Sequence, residues 1–557
     1  MHRLASCPGI DPPEDVVLVE QPPADVLLLS SAGTDLSCLE AVVQASPDWC
    51  NQIRALHLDN LGHPAQLDHY LASTASQARL IVVRLLGSRG HWSYGLEQLQ
   101  RWSDECADRQ LLVLAGTVDQ QGDLHGIGTV VPALADRLAA LLREGGETNM
   151  ARLLDAIQAL LNGTPPDSEE IEVAPLADPF PWDWQDDPGA TVGVVLYRAQ
   201  LQAGDTALAQ QLNQALRERG LRPRLIWVSS LRDPAVQAGV LDLLRSQGAQ
   251  VVISGTAFAS VTTEQAGLGS ALWDSLDRPV LQLLTAGTSR ERWQQSSRGL
   301  EPLDLSLQVV MPELDARVTT RPCAFRQARP PLGGLATAIT TQQPDRDGIN
   351  WLVEHAACWI DLQDTPAKHR RMAMVLANYP VRDGRVANGV GLDTPASVVN
   401  IIGWLADAGY QLGEHPIPSN GDRLIASLLA GRTNSAEGRY RPPLDHLPLE
   451  TYQAWWDTIP SEAKARIVSR WGEPQQACDL DGERGFAIHG LRYGHLVVLL
   501  QPDRGYDPDQ IADLHSPDLP PPHRYLAQYL WLREVHDSQV MVHVGKHGSA
   551  EWLPGKG

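Results

Sequence analysis

The 557 residues carry a formal net charge of −22, with 43% apolar and 20% charged residues. This is an ordinary globular composition, at a length that predicts roughly three to four domains. The acidic balance excludes a nucleic-acid surface, which needs a basic patch, and no apolar run reaches the ~18 residues of a membrane span. Seven cysteines are scattered without a CxxC pair, which predicts reduced thiols and no cysteine-rich metal site. The start Met1-His-Arg-Leu-Ala lacks an apolar leader core, so a cytoplasmic location is expected. Sixteen tryptophans against four phenylalanines read as core aromatics.

Residues 1–161 read as an α/β domain. Buried-strand runs begin at Asp25, Ile53, Arg79 and Gln110, with helical patterns near 36–45, 65–77 and 93–107 between them. Strands separated by helices of this length predict a doubly wound parallel sheet. Residues 162–190, with six prolines and eight acidic residues, read as a linker. The rhythm restarts over 191–330 with Thr191–Tyr197, Leu225–Val228, Val251–Ile253 and Pro279–Leu284, and helices near 205–219 and 234–246. This predicts a second flavodoxin-like unit. A third α/β region over 331–557 has strands at Met372–Ala377 and near 486–490, 495–500 and 538–544. Its helices are expected near 394–408, 450–470 and 523–535. The long loops at 378–393, 411–422, 431–448 and 501–523 are dense in ionisable residues, which marks them as functional.

Two of these stretches carry candidate chemistry. Asn378-Tyr-Pro-Val-Arg382-Asp383-Gly-Arg385-Val-Ala-Asn388-Gly-Val-Gly-Leu-Asp393-Thr394-Pro395 follows a strand and precedes a helix. Asp393 or Thr394 can cap that helix, with Pro395 at its first position. The arginines and amides on this glycine-punctuated loop suit carboxylate or amide groups of a ligand, and a solvated turn is the plainer alternative. The second stretch is Val540-Met-Val-His543-Val-Gly-Lys546-His547-Gly-Ser-Ala-Glu551-Trp552-Leu553-Pro-Gly-Lys556. Its apolar start reads as a buried strand. His543, His547 and Glu551 recur every four residues, but Gly545, Gly548 and Pro554 favour a loop at a strand end over a helix. Imidazole and carboxylate can bind a divalent transition metal and accept protons. His515 and His523 lie just before the last helix, as do His489 and His495 before or within strands, and surface histidines are the default reading. Neither Gly-Lys pair continues as a Walker A loop, so any ATP is expected on a partner.

The segments Met372–Ser397 and Val540–Lys556 closely resemble the CobN-type large subunits of cobaltochelatase, a family related to the H subunit of magnesium chelatase. The likeness extends to Arg84–Glu97, Arg143–Gly146, Met311–Asp315 and Ser516–His523. Magnesium-chelatase H subunits typically have Phe-Met where this chain has Trp552-Leu553, which favours the cobalt branch. The resemblance implies several doubly wound α/β units forming part of a large cage that binds a tetrapyrrole. It further implies that AAA+ ATPase and MIDAS-type partner subunits hydrolyse ATP with Mg2+, and that Co2+ is inserted into hydrogenobyrinic acid a,c-diamide in cobalamin biosynthesis. Family members are considerably longer, so a fragment is expected, with the C-terminal half of the cage outside this chain.

On this reading His543 and His547 deliver the ion, accept protons or both, with Glu551 as proton acceptor or third ligand. Substrate contacts are expected from Asn378, Arg382, Asp383, Arg385, Asn388, Asp393, His515, Asp518, His523, Lys546 and Lys556. The competing readings are Mg2+ insertion into protoporphyrin IX, a non-catalytic tetrapyrrole-binding protein and a metal-dependent hydrolase.

Overall fold

Short runs of Val, Leu and Ile, buried on both faces, build three parallel-rich sheets. The computed structural model describes residues 17–260, 271–330, 334–378, 382–478, 485–505, 516, 518–546 and 548–556. These residues form two compact units, one from Met1–Gln295 and Leu300–Ala356, the other from Ser296–Gly299 and Ala357–Gly557.

In the first unit, β1 (Val26–Ser30), β2 (Ile53–His57), β3 (Leu80–Leu85) and β4 (Gln110–Ala115) pair in the order β2-β1-β3-β4. Every pair is parallel. Alternate residues face opposite ways. Val26, Leu28, Leu80 and Val82 pack with the helices Gly33–Ala45, Pro132–Glu144 and Gly146–Leu161. Leu27, Leu29, Ile81 and Val83 pack with Leu67, Tyr70, Leu99 and Trp102.

The same unit holds a seven-stranded sheet of β5 (Phe180–Trp182), β6 (Thr191–Tyr197), β7 (Arg222–Val228), β8 (Ala249–Ser254), β9 (Val280–Ala286), β10 (Val318–Arg329) and β11 (Ile339–Pro344). Its order is β11-β10-β9-β8-β6-β7-β5. Strands β6 to β10 are parallel to their sheet neighbours, and β5 and β11 close the edges antiparallel. Strand β10 is not legible in the sequence, because a proline inside a strand argues against it; its register shifts on either side of Pro322. Residues 162–190 supply β5, and Asn149 holds the segment by hydrogen bonds in both directions with the Ala174 backbone.

In the second unit β12 (Met372–Leu376), β15 (Gly490–Tyr493), β16 (Leu496–Leu500) and β17 (Val540–Val544) pair in the order β15-β16-β12-β17. Between them in sequence, β13 (Asp445–Leu447) and β14 (Phe486–Ile488) form a separate antiparallel ribbon. On one sheet face Met374, Leu376, Val498 and Leu500 meet Val398, Ile402, Leu424 and Leu428. On the other, Ala373, Val375, Val497 and Leu499 meet Tyr452, Trp456, Leu530 and Trp531.

Three expectations are corrected. The helix near 450–470 is two helices, Leu449–Trp456 and Ser461–Trp471, because Pro460 cannot continue the first ladder. Pro395 stands second in the helix Thr394–Asp407, behind the Asp393 cap. Strand β17 is an edge strand with Met541 45% exposed, not a buried one, since β12 covers only one of its sides among the described residues.

His536 is buried, stacked on Trp531, and 2.6 Å from Ser538 Oγ through Nδ1. Burial, aided by Arg492 and Arg371, pushes its pKa from 6.5 down to about 4. The native state therefore binds fewer protons than the unfolded state between these values, and stability falls as pH drops through that window. Denaturant unfolding at pH 7 and pH 4.5 should differ by about 2 kcal/mol from this group, and His536→Gln should flatten the difference.

Candidate functional site

Strand β12 lies between β16 and β17, and all three run the same way. The chain passes from β12 to β16 on one side, then crosses to β17 on the other. A crevice opens outside the carboxyl ends at such a reversal. Leu376 is level with Leu500 and with Val544, so Ala377–Asn378, Gln501 and Gly545–Lys546 emerge side by side. A cavity of about 190 Å³ lies here, lined by Val375, Ala377, Gln501, His543, Lys546 and Gly548 among others.

His543 projects from the exposed face of β17, with Nε2 3.4 Å from the Tyr529 hydroxyl. Loss of hydration lowers its pKa from the ordinary imidazole value. Tyr529 comes from the helix His523–Glu534, and burial beside Tyr525 raises its phenol pKa. Gln501 is 3% exposed and its Oε1 accepts the Ser549 N–H at 2.9 Å, which ties the segment after β17 to the end of β16. Gly548 fits this closure, because a Cβ there would lie 3.0 Å from Gln501 Nε2. Two buried polar atoms at this edge, Asn378 Oδ1 and Ser549 Oγ, have no hydrogen-bond partner among the described residues. Such atoms are costly without a partner, and a polar ligand would supply one.

Of the metal-binding candidates, His543 lines the cavity. Glu551 sits in the short helical turn Ser549–Trp552, one turn beyond the strand end, and its side chain lies outside the description, as does His547. No three His, Cys, Asp or Glu side chains meet as a metal-binding group among the described residues.

The expected substrate residues divide. Lys546 lines the crevice, and Asn378 directly follows Ala377, which also lines it. Asp383 accepts from Thr433 Oγ1 at 2.7 Å and Arg441 Nη1 at 3.1 Å. Burial pushes its carboxyl up, but hydrogen bonds from Thr433, Ser435 and Arg441 outweigh that and hold it below the usual range. Arg382 and Arg385 flank it and are exposed, as is Asn388. Asp393 spends its carboxylate on the Ala396 N–H at 3.0 Å as a helix cap. His523 is buried with both ring nitrogens engaged, Nδ1 with the Tyr452 hydroxyl at 2.8 Å and Nε2 with the Gly472 carbonyl at 2.9 Å. Asp518 is exposed, and Lys556 Nζ donates to the Ser296 carbonyl; His515 lies outside the described residues. Sequence reasoning missed Gln501 and Tyr529. Gln501 is the first polar residue after the run Leu496–Leu500, a usable signal, whereas nothing local marks Tyr529.

The family model CobN/Magnesium Chelatase matches residues 139–557. The chain is 36% identical to an aerobic cobaltochelatase subunit CobN from Sinorhizobium sp, over all of this chain and 44% of that protein. It is 35% identical to its namesake from Pseudomonas aeruginosa, over all of this chain and 45% of that one. The magnesium-chelatase protein of the H type from Rhodobacter capsulatus is 26% identical over 66% of this chain and 31% of its own length. The solved catalytic subunit of cobaltochelatase from Mycobacterium tuberculosis superposes with a TM-score of 0.70 at 28% identity, covering 96% of this chain and 44% of that one. The chain thus spans less than half the length of these relatives.

His543 is expected to titrate below 6.5, so its imidazole is neutral at pH 7 and free to bind an ion. An NMR pH titration of the histidine ring protons, with His543→Gln identifying the resonance, checks this; a value above 6.5 would contradict it.

Proposed function

The chain belongs to the CobN/magnesium chelatase family, and from that premise we propose that it supplies a tetrapyrrole-binding, metal-inserting part of an ATP-dependent cobaltochelatase. The metal is Co2+ and the acceptor hydrogenobyrinic acid a,c-diamide, on the route to cobalamin. AAA+ and MIDAS-type partner subunits bind and hydrolyse the ATP, and the complex works in the cytoplasm. One observation carries the reading: the stretch Val540–Lys556 that marks the family leads out of β17 directly into the crevice beside β12. The cobalt branch is favoured over magnesium because the CobN relatives match the whole chain at higher identity.

Insertion puts the divalent ion in place of the single inner N–H proton of the corrin ring, so the site must hold the ion briefly and take up that proton. His543, neutral at working pH, has a lone pair for either task. His547 and Glu551 follow in the same stretch of sequence, where either could share the ion or take the proton. Tyr529 at Nε2 orients the His543 ring, as a partner on the second nitrogen does for ligating imidazoles generally. Asn378 and Lys546 meet polar or acidic groups of the macrocycle from the floor of the crevice, and Arg382 and Arg385 meet them from the loop after β12.

In the complete complex, Glu551→Gln and His547→Ala should each lower cobalt insertion by about 100-fold or more while macrocycle binding, followed by tryptophan quenching, is retained. Turnover at the wild-type rate in both variants would remove these residues from the mechanism. Preference of the wild-type chain for protoporphyrin IX over hydrogenobyrinic acid a,c-diamide would move it to the magnesium branch.

A further inference from the structure

A second cavity of about 270 Å³ adjoins the carboxyl end of the same strand β16, where Pro502 and Asp503 line it directly after Gln501. Its walls bring together Arg432, Arg439 and Arg524 with Asn434, His489 and Trp471. These guanidiniums come from separate stretches of chain, the loop before β13 and the start of the helix His523–Glu534. Asp503 is the only carboxylate among the described lining residues, and burial pushes its pKa up, against which the Gly505 N–H and the Arg524 charge work. Such a concentration of cations runs against a chain of net charge −22, so composition alone does not account for it.

The walls are held in place. Trp471 donates to the Pro520 carbonyl at 2.8 Å, and Gly505 lies so close to the indole that a Cβ there would come within 2.8 Å of it. Asn434 Nδ2 donates to the Gln501 carbonyl at 2.8 Å. Its Oδ1, 3.2 Å from His489 Nδ1, can therefore only accept, which places the proton on that nitrogen. Gln501 thus separates the two cavities: its side chain lines the crevice of His543, and its carbonyl is gripped from the second cavity. The volume is small against the 300–1,000 Å³ of whole-ligand pockets. It suits a side arm of a larger ligand, and a planar guanidinium fork beside an aromatic wall selects a carboxylate on a short apolar stem.

We propose that this second cavity is a carboxylate subsite, in which Arg439, Arg524 and Arg432 take the peripheral acidic arms of the tetrapyrrole whose ring faces the neighbouring crevice. The inference rests on the proposed function and deepens it: ring and arms are read by different cavities on the two sides of Gln501. Substrate choice then depends on how many arms remain as free acids, because amidated or esterified arms lose the charge-assisted bonds.

The test compares binding of hydrogenobyrinic acid a,c-diamide and of its methyl ester to the full chain, by tryptophan quenching, in wild type, Arg439→Gln and Arg524→Gln. Both arginines are exposed, and thermal unfolding checks that the variants remain folded. The expected result is that the wild type prefers the acid, that each variant binds the acid roughly 10- to 100-fold more weakly, and that the ester binds all three alike. Arg524→Lys, which keeps the charge, should recover part of the loss. Unchanged affinity for the acid in both Gln variants, with the wild type binding it, would overturn the subsite and leave the proposed function standing. Failure of the wild type to bind either macrocycle would overturn the proposed function, and the subsite with it.

Discussion

Strand β12 is hydrogen-bonded on both sides along its whole length, to β16 and to β17, and apolar side chains cover both of its faces. A strand so enclosed can have no polar group of its own between its ends, because an unpaired donor or acceptor there would have no water to satisfy it. Polar chemistry is therefore pushed to the carboxyl edge, where Asn378, Gln501 and Lys546 appear at the first positions beyond the ladder. The same requirement brings residues more than a hundred positions apart to one crevice.

The edge is held by hydrogen bonds that converge on one residue. The Gln501 N–H donates to the Leu376 carbonyl at 2.8 Å, its carbonyl accepts from Asn434, and its side chain accepts from Ser549. One buried glutamine thus ties the end of β16 to the loop before β13, to β12 and to the segment after β17. Asn378 Oδ1 and Ser549 Oγ, buried and without a hydrogen-bond partner among the described residues, lie at this same edge.

The loop after β12 and the segment around His523 show how one residue type can serve different ends. Asp383, directly after the exposed Arg382, and Asp393 are both occupied in holding their own loop and helix. His523, on a stretch that marks the family, is sealed between Tyr452 and the Gly472 carbonyl. For these residues a strong sequence signal coincides with a structural task. His543, by contrast, stands on an edge strand with a single neighbour at hydrogen-bond range, Tyr529, among the described contacts.

The alternating strands and helices, the doubly wound class and the loop character of the stretch after β17 were determined by the sequence alone. Hydrophobic period and glycine placement act locally, and both survive without knowledge of what packs against them. The long motif around His543 was legible for the same reason, since it is contiguous. Other features were decided only by the tertiary structure. These include the irregular strand β10 across Pro322, the edge position of β17, the role of Gln501 and the arginines gathered from the loop before β13 and from the helix His523–Glu534. Each depends on pairing or approach between segments distant in the chain, and no local pattern records which segment will lie next to which.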